Sequence, residues 1–464
     1  MQKIYLNNKW KDSKSINFFE RKTFFKNKIY KYPNCNQEDL DDTISSAYKG
    51  LKKYKNTDLK YRSKLLMKVA IEIKKNYKII AKLESEETGK KIENCENEVL
   101  HSANLWKFAS KNIKQLKTQD VNLKNNKLGK VSYEAVGIVC LIIPWNFPFV
   151  VASERLPYIL AAGNCAIIKP SEFASQSIIF LVKLLKKIKF PPGVINLIFG
   201  KGPSIGKKIV DNKNINMISF TGSTKIRKKI MEGSGKFIRR LSLELGGKNS
   251  IIILNDADLK KSASIAIDSF CLNTGQCCVA TTKLIIEKNI KKKFVKILIK
   301  KLKNIDNFKE YFGPITTLSQ FNKIHKILRK NKKFNKKIIF GDTKIRKDNY
   351  IFPIIYEDLP RNNIINQVEI FGPILSILSF NKDSQAIELA NNTDYGLSAI
   401  ICGKEKKRLN RIYKKIEAGR IWINESIKLN FPILPIGGFK QSGLNRECGN
   451  EGYKTYSEIK SLII

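Results

Sequence analysis

Val136-Gly-Ile-Val-Cys-Leu-Ile-Ile-Pro-Trp-Asn-Phe-Pro-Phe-Val-Val151 is the longest apolar run of the chain, and Gly137, Pro144 and Pro148 cut it. It is too short and too broken to span a membrane. Its first half carries no polar alternation and reads as a strand buried on both faces, the pattern of a parallel sheet. Working outward, strand-like runs at 165–168, 194–199, 217–220 and 250–254 alternate with helical patterns. This argues for βαβ units. A second alternating series starts near Ser262 and ends near Gly443, with strand-like runs at 283–287, 374–380 and 420–423. The fold class is therefore α/β, with two doubly wound, Rossmann-like units. Upstream, residues 36–110 read as Lys/Glu-rich amphipathic helices, and residues 1–30 as an edge hairpin or arm. The segment 291–302 keeps apolar residues at helical spacing among its lysines, so it reads as a helix with a solvated face.

Cys278 lies in Cys271-Leu-Asn-Thr-Gly-Gln-Cys-Cys-Val-Ala280, and Glu244 stands 34 residues earlier in Leu243-Glu-Leu-Gly-Gly-Lys-Asn249. A thiol attacks carbonyl carbon well, and a nearby carboxylate can take a proton from water. Asn146 lies between Pro144 and Pro148, which fix the backbone around it. An amide held there can steady a developing oxyanion. The chain has two histidines. His101 falls in a helical pattern, and His325 falls in a Lys-rich helix expected to be exposed. This scarcity points the base role towards a carboxylate.

At these residues the chain resembles the NAD(P)-dependent aldehyde dehydrogenase superfamily, from about Tyr30 to the C-terminus. The motifs stand in the family's usual order: Pro144-Trp-Asn-Phe-Pro148, Lys169-Pro-Ser-Glu172, Phe220-Thr-Gly-Ser-Thr224, Glu244-Leu-Gly-Gly-Lys248, Gly275-Gln-Cys-Cys278, Glu369-Ile-Phe-Gly-Pro373 and Pro435-Ile-Gly-Gly-Phe-Lys-Gln-Ser-Gly443. The resemblance implies the aldehyde dehydrogenase fold with a small β oligomerisation element. On that pattern, residues 1–118 and 137–247 form the NAD-binding domain and 248–440 the catalytic domain. Residues 119–136 and 441–464 form the bridging element.

The resemblance also implies roles. Cys278 is the nucleophile, Glu244 the base that deacylates it, and Asn146 the oxyanion donor together with the Cys278 backbone N–H. Ile142, Ile143, Pro144, Trp145, Lys169, Ser171, Glu172, Gly222, Ser223, Leu245, Gly246, Glu369 and Phe371 would hold the cofactor. Lys169 and Glu172 resemble the pair at the adenosine ribose, and a carboxylate there repels a 2′-phosphate, which favours NAD over NADP. Glu369 and Phe371 resemble the nicotinamide-ribose clamp. Members of the family commonly carry a glycine where this chain has Arg227, which leaves open whether Arg227 touches the cofactor.

By position Asn104, Glu154, Val279 and Phe431 should line the substrate tunnel. Many relatives have an aromatic at Glu154. An acid there either attracts a cationic aldehyde or pairs with Arg155 on a helix surface. The ending 437–449 resembles the betaine-aldehyde and aminoaldehyde branch most, departing where Asn445 replaces a common glycine. A semialdehyde is the alternative substrate.

The formal net charge is +45. It fits either a polyanion-binding surface or a composition in which Lys, Asn and Ile are all abundant. The lysines are spread along the chain and no nucleic-acid motif stands out, which favours composition. A basic anion-binding protein on the same scaffold, an inactive relative and an acylating enzyme using coenzyme A are the competing readings. The joint presence of Cys278, Glu244 and Asn146 speaks against the last two. Nine cysteines without a Cys-x-x-Cys pair suggest neither a disulfide framework nor a zinc site. Cys277 reads as a wall residue that could pair with Cys278 on oxidation. No N-terminal stretch reads as a signal peptide. The expectations are thus a small-molecule aldehyde substrate, no metal, no specific nucleic acid, no membrane, a cytoplasmic home and a homodimer or homotetramer.

Overall fold

In a computed structural model the chain is described at residues 1–25, 27–125, 127–305 and 307–464. Two compact units divide it: residues 1–243 with 431–436 and 445–464, and residues 244–430 with 437–444.

The first unit opens with two hairpins, β1 (Ile4–Leu6) with β2 (Lys9–Lys11), and β3 (Phe18–Lys22) with β4 (Ile29–Pro33). Four helices follow, α1 (Gln37–Tyr54), α2 (Leu59–Lys75), α3 (Tyr77–Thr88) and α4 (Ile92–Lys111). Asn36 and Asp58 cap the first two by accepting from backbone N–H groups of the first turn. Gly89 ends α3 in the left-handed region at φ 80°. Next come β5 (Gln119–Asn122) and β6 (Leu128–Ala135), which form an antiparallel sheet with the terminal strand Ser457–Ile463. That sheet leaves Ile459, Leu462 and Ile463 exposed.

The apolar run then becomes β7 (Ile138–Ile142), and Pro148 opens α5 (Pro148–Ala161). β8 (Cys165–Lys169), α6 (Gln176–Lys187), β9 (Ile195–Leu197), α7 (Lys207–Asp211), β10 (Met217–Thr221), α8 (Thr224–Gly235) and β11 (Arg240–Glu244) complete the series. The sheet order is β2-β1-β9-β8-β7-β10-β11, with β9, β8, β7 and β10 parallel. β7 and β8 have essentially no exposed residue, which is why neither alternates. The N-terminal arm is an edge, since β1 pairs antiparallel with β9.

The second unit repeats this arrangement. It holds β12 (Asn249–Ile253), α9 (Leu259–Cys271), β13 (Thr281–Glu287), β14 (Ile338–Phe340), β15 (Ile354–Glu357), β16 (Ile374–Phe380), β17 (Tyr395–Gly396), β18 (Ser398–Cys402) and β19 (Arg420–Ile423). Its sheet runs β14-β15-β16-β13-β12-β18-β19, and β15 to β19 within it are parallel. In both units the first parallel strand sits at the centre. The chain winds to one side and then reverses, between β7 and β10 in one unit and between β12 and β18 in the other. Ile251, Ile253, Leu284, Ile286, Leu375, Ile377 and Ile400 pack one face of the second sheet against α9. No helix among the described residues is long and apolar enough to cross a membrane.

Candidate active site

Three segments that the sequence keeps apart enter adjacent parallel strands of the second unit at their amino ends. Glu244 and Gly246 precede β12, Cys278 and Val279 precede β13, and Glu369 and Phe371 precede β16. The order β16-β13-β12 therefore sets them side by side. Backbone contact tightens the group. Gly275 has φ +72°, and a Cβ there would lie 2.2 Å from the carbonyl carbon of Gly372, so the thiol loop rests directly on the loop behind Phe371. Asn273, Thr274 and Phe371 also take positive φ, at 49°, 55° and 62°. Such cost is retained where the surroundings over-determine the loop.

The nine cysteines are free thiols; eight are buried and only Cys278 is partly exposed. Its thiol is held well above the ordinary range by a hydrogen bond with Cys277, then by burial, then by the negative charges of Glu244 and Glu369. Glu244 is buried at the end of β11. Glu369 keeps partial exposure; desolvation pushes its carboxyl up, against the pull of Lys323, the Gly247 N–H and Lys248. Its Oε1 accepts from the Gly247 N–H at 3.1 Å, and a Cβ on Gly246 would strike its Oε2 at 2.2 Å. Only glycine lets the carboxylate lie over that backbone. Leu245, next to it, is buried and donates its N–H to the Ser442 carbonyl at 2.9 Å.

Asn249 fixes the thiol loop from below. Its Nδ2 donates to the Cys278 and Ala280 carbonyls at 2.7 and 3.0 Å, and its Oδ1 accepts from the Ser398 N–H at 3.0 Å. Gln276 works the other side, donating to the Asn273 and Pro314 carbonyls and accepting from the Thr316 N–H. Sequence reasoning passed over both. Their only local signal is a buried-type amide flanking a glycine turn. The sequence assigns Lys248 no role either. Burial, then neighbouring Lys283, brings it down to about 7 against the pull of Glu369, and it donates to Thr282 Oγ1 at 3.0 Å.

The first unit presents the other residues at the carboxyl ends of its strands. Ile142 ends β7, and the Ile143 N–H donates to the Lys169 carbonyl at the end of β8. Pro144, Trp145 and the buried Asn146 make the turn into α5. Lys169 is buried and lowered by that burial; its Nζ lies 4.0 Å from Glu172, which keeps partial exposure. Ser171 is buried and its carbonyl accepts from Ser175 Oγ. At the end of β10, Gly222 leads to Ser223, which caps α8 by accepting from the Ile226 N–H at 3.4 Å. Arg227 lies one turn into that helix. These segments flank the point where the strand order reverses, the crevice in which open α/β sheets bind nucleotides.

Of the tunnel candidates, Asn104, Glu154 and Phe431 belong to the first unit and Val279 to the second. Asn104 is exposed on α4 and Phe431 is half-exposed. Val279 packs against the second unit's core, and its carbonyl accepts from Ser398 Oγ. Glu154 is neither an unpaired acid nor part of a surface pair. Its Oε2 accepts from Arg155 Nη1 at 2.9 Å, both side chains are largely buried, and Arg155 Nε lies 3.6 Å from Glu447. A charge buried in an apolar helix needs such a partner. His325, expected to be exposed, is buried edge-on against Phe321 with ring centroids 4.5 Å apart. Burial, then Arg329 and Arg346, lowers its pKa. The lysine-rich composition of its helix hid an apolar face made by Phe321, Ile324, Ile327 and Leu328.

Two doubly wound units with a reversal point in each define an α/β protein of the dinucleotide-binding class. The profile of the aldehyde dehydrogenase family matches residues 10–462. A chloroplastic betaine aldehyde dehydrogenase of Amaranthus hypochondriacus is 32% identical over 447 residues, 93% of this chain and 89% of its own. The peroxisomal aminoaldehyde dehydrogenase 2 of Pisum sativum is 32% identical and covers 99% of this chain and 95% of its own. Among solved structures, the NAD-dependent aldehyde dehydrogenase of Sinorhizobium meliloti matches with a TM-score of 0.96 at 31% identity, over 100% of this chain and 94% of that one. A betaine aldehyde dehydrogenase of Staphylococcus aureus in complex with NAD+ matches with a TM-score of 0.94 at 28% identity, over 100% and 95%. The chain belongs to the aldehyde dehydrogenase family and has its fold; it is an oxidoreductase acting on the aldehyde group.

Proposed function

We propose that this chain oxidises an aldehyde to a carboxylic acid, with NAD as its cofactor, through a thiohemiacetal and a thioester on Cys278. The single observation that carries the reading is the gathering of Cys278, Glu244 and Glu369 before three adjacent strands, with Cys278 the one accessible thiol. Cys278 attacks the carbonyl carbon as a thiolate. Asn146 and the Cys278 N–H steady the oxyanion. Glu244 then takes a proton from the water that cleaves the thioester, and the thiol is regained. Bound NAD supplies the hydride acceptor. Hydrolysis, rather than transfer to coenzyme A, is the outcome consistent with a buried carboxylate beside the thiol.

The crevice at the ends of β7, β8 and β10 fits a dinucleotide. Ile142, Ile143, Pro144 and Trp145 wall it, and Lys169, Ser171 and Glu172 stand at the neighbouring strand end. The α8 N-terminus behind Gly222 and Ser223 has no acidic residue in its first turn, so its N–H groups suit a pyrophosphate. Leu245, Gly246, Glu369 and Phe371, all in the second unit, are also proposed as cofactor residues. Glu172 disfavours a 2′-phosphate, hence NAD over NADP. Glu172→Ser is expected to raise the NADP-to-NAD ratio of kcat/KM by roughly tenfold, the effect of losing one partly screened like charge. Parallel titrations of the two cofactors check this. A wild-type enzyme that prefers NADP defeats the assignment.

The substrate we propose is an aminoaldehyde or betaine aldehyde. Support comes from the 32% identity to enzymes so named and from the ending 437–449. The discriminating test is NADH formation from betaine aldehyde, 4-aminobutanal, succinic semialdehyde and glyceraldehyde phosphate; a preference for an anionic aldehyde moves the substrate to the semialdehyde class. Because Arg155 already neutralises Glu154, selectivity for a cation has to come from elsewhere. Glu154→Gln is expected to lower the melting temperature and to change kcat/KM for cationic and neutral aldehydes of equal length by the same factor. A loss confined to the cationic aldehyde would show that Glu154 selects the substrate. The exposed strand Ser457–Ile463 supports a homo-oligomer, read by sedimentation equilibrium, and the free cysteines support a reducing compartment such as the cytoplasm.

A further inference from the structure

The last turn of α3 carries two carboxylates three residues apart, and each grips the start of a different helix. Glu84 has no exposed surface. Its Oε2 accepts from the Phe149 N–H at 3.1 Å, and its Oε1 accepts from Lys90 Nζ at 2.6 Å. Phe149 is the second residue of α5 and lies three residues after Asn146. Glu87 is equally buried. Its Oε2 accepts from the Ser175 and Gln176 N–H groups at 2.8 and 2.7 Å, and its Oε1 accepts from the Tyr32 hydroxyl at 2.7 Å. Gln176 opens α6, and Ser175 lies three residues after Glu172. Each carboxylate thus holds the backbone three residues beyond a residue proposed to act on the oxyanion or on the ribose.

Neither helix caps itself. Phe147 and Ser175, at the cap positions of α5 and α6, make no side-chain cap hydrogen bond, and neither helix has an acidic residue in its first turn. The first N–H groups of a helix have no partner inside it and favour an anion. Here α3 supplies that anion from outside. The fork itself is rigid. Thr88 Oγ1 donates to the Glu84 carbonyl, Ser85 Oγ donates to the Lys90 carbonyl, and the Lys90 ammonium sits 4.6 Å from the Phe147 ring centre, next to Asn146. Burial pushes Glu87 up to about 7, and the Gln176 N–H, the Tyr32 hydroxyl and the Ser175 N–H hold it from going further.

We propose that Glu84 and Glu87 are positioning residues, a fork on one helix turn that sets the Asn146 turn and the Ser171–Glu172 turn at the carboxyl ends of β7 and β8. The proposal rests on the roles assigned above to Asn146 and Glu172. Its signature is a split. Glu84 acts through Asn146 and bears on the chemical step; Glu87 acts through Glu172 and bears on cofactor affinity.

The test uses the full chain with Glu84→Ala, Glu84→Gln, Glu87→Ala and Glu87→Gln. NAD Kd is read from quenching of protein fluorescence, and single-turnover NADH formation at saturating NAD is read by stopped flow, with melting temperature as a control. Glu84→Ala should slow single turnover by roughly tenfold or more and leave NAD Kd within about twofold, since misplacing a donor is felt in the reacting geometry. Glu87→Ala should weaken NAD binding by roughly tenfold and leave saturated single turnover within about threefold. The glutamine variants keep an acceptor oxygen and should show the same split, reduced in size. They carry the test if an alanine variant does not fold. Variants that lose both quantities together, in step with melting temperature, or that lose neither, overturn the fork. If the wild type forms no NADH from any aldehyde, the dehydrogenase reading fails first and the fork falls with it; if the wild type is active and the variants do not split, the fork alone fails.

Discussion

Cys278→Ala is expected to cut aldehyde oxidation by at least about a thousandfold, because the covalent route is lost rather than weakened. NAD Kd should stay nearly unchanged, since none of the residues proposed to hold the cofactor is altered. Cys277→Ala should keep most activity. Accessibility separates the two thiols: Cys277 is buried and Cys278 is partly exposed. They also predict different reactivity. The hydrogen bond with Cys277 is the largest cause of the raised Cys278 thiol, ahead of burial and of the Glu244 and Glu369 charges. Removing Cys277 should therefore move the pH profile of Cys278 alkylation by iodoacetamide to lower pH. The thiolate, not the thiol, is the species that reacts. Should Cys277→Ala be the inactive variant and Cys278→Ala the active one, the nucleophile is Cys277.

Glu244→Gln is expected to lower steady-state turnover by on the order of 10²–10⁴, the usual span for removal of a general base. The first turnover should survive. Attack by the thiol and hydride loss need no base for water, so a rapid burst of NADH, close to one per site, should precede a slow phase. Glutamine matches glutamate in size and keeps an acceptor oxygen, so the buried site should not collapse. The charge change brings a second expectation: with one of the two neighbouring carboxylates neutral, the Cys278 thiol should titrate lower than in the wild type. Loss of burst and turnover together, with NAD still bound, would place Glu244 in the first chemical step. A deficit in NAD binding instead would make it a cofactor residue.

These two variants probe residues that the sequence names through their motifs, and the structure adds why they can act together. Glu244, Cys278 and Glu369 are 34 and 91 residues apart. Nothing local joins them. They meet because β12, β13 and β16 are neighbours in one sheet and each residue stands just before its strand. The reversal-point rule, which suits the first unit, puts ligands at carboxyl ends of strands. It does not find the second unit's cluster, which lies at amino ends.

By itself, the sequence determined the elements and their class. Apolar runs without alternation became the buried strands β7 and β8; the run at 374–380 became β16 with the same bounds, and the helical stretch 36–110 became α1 to α4. Such patterns are legible because burial on both faces and the 3.6-residue period act over a few neighbouring residues. Tertiary structure alone decided the partners of buried polar groups. Glu154 met Arg155 in the interior rather than at a surface, Arg155 in turn met Glu447, and His325 turned onto Phe321 inside a lysine-rich helix. Asn249 tied two carbonyls of the thiol loop, and Glu84 and Glu87 capped helices 65 and 88 residues downstream. A buried charge or amide must be satisfied, but its own neighbourhood in sequence sets only that demand. Which distant backbone answers it depends on strand order and helix packing, and those exist only once the chain has folded.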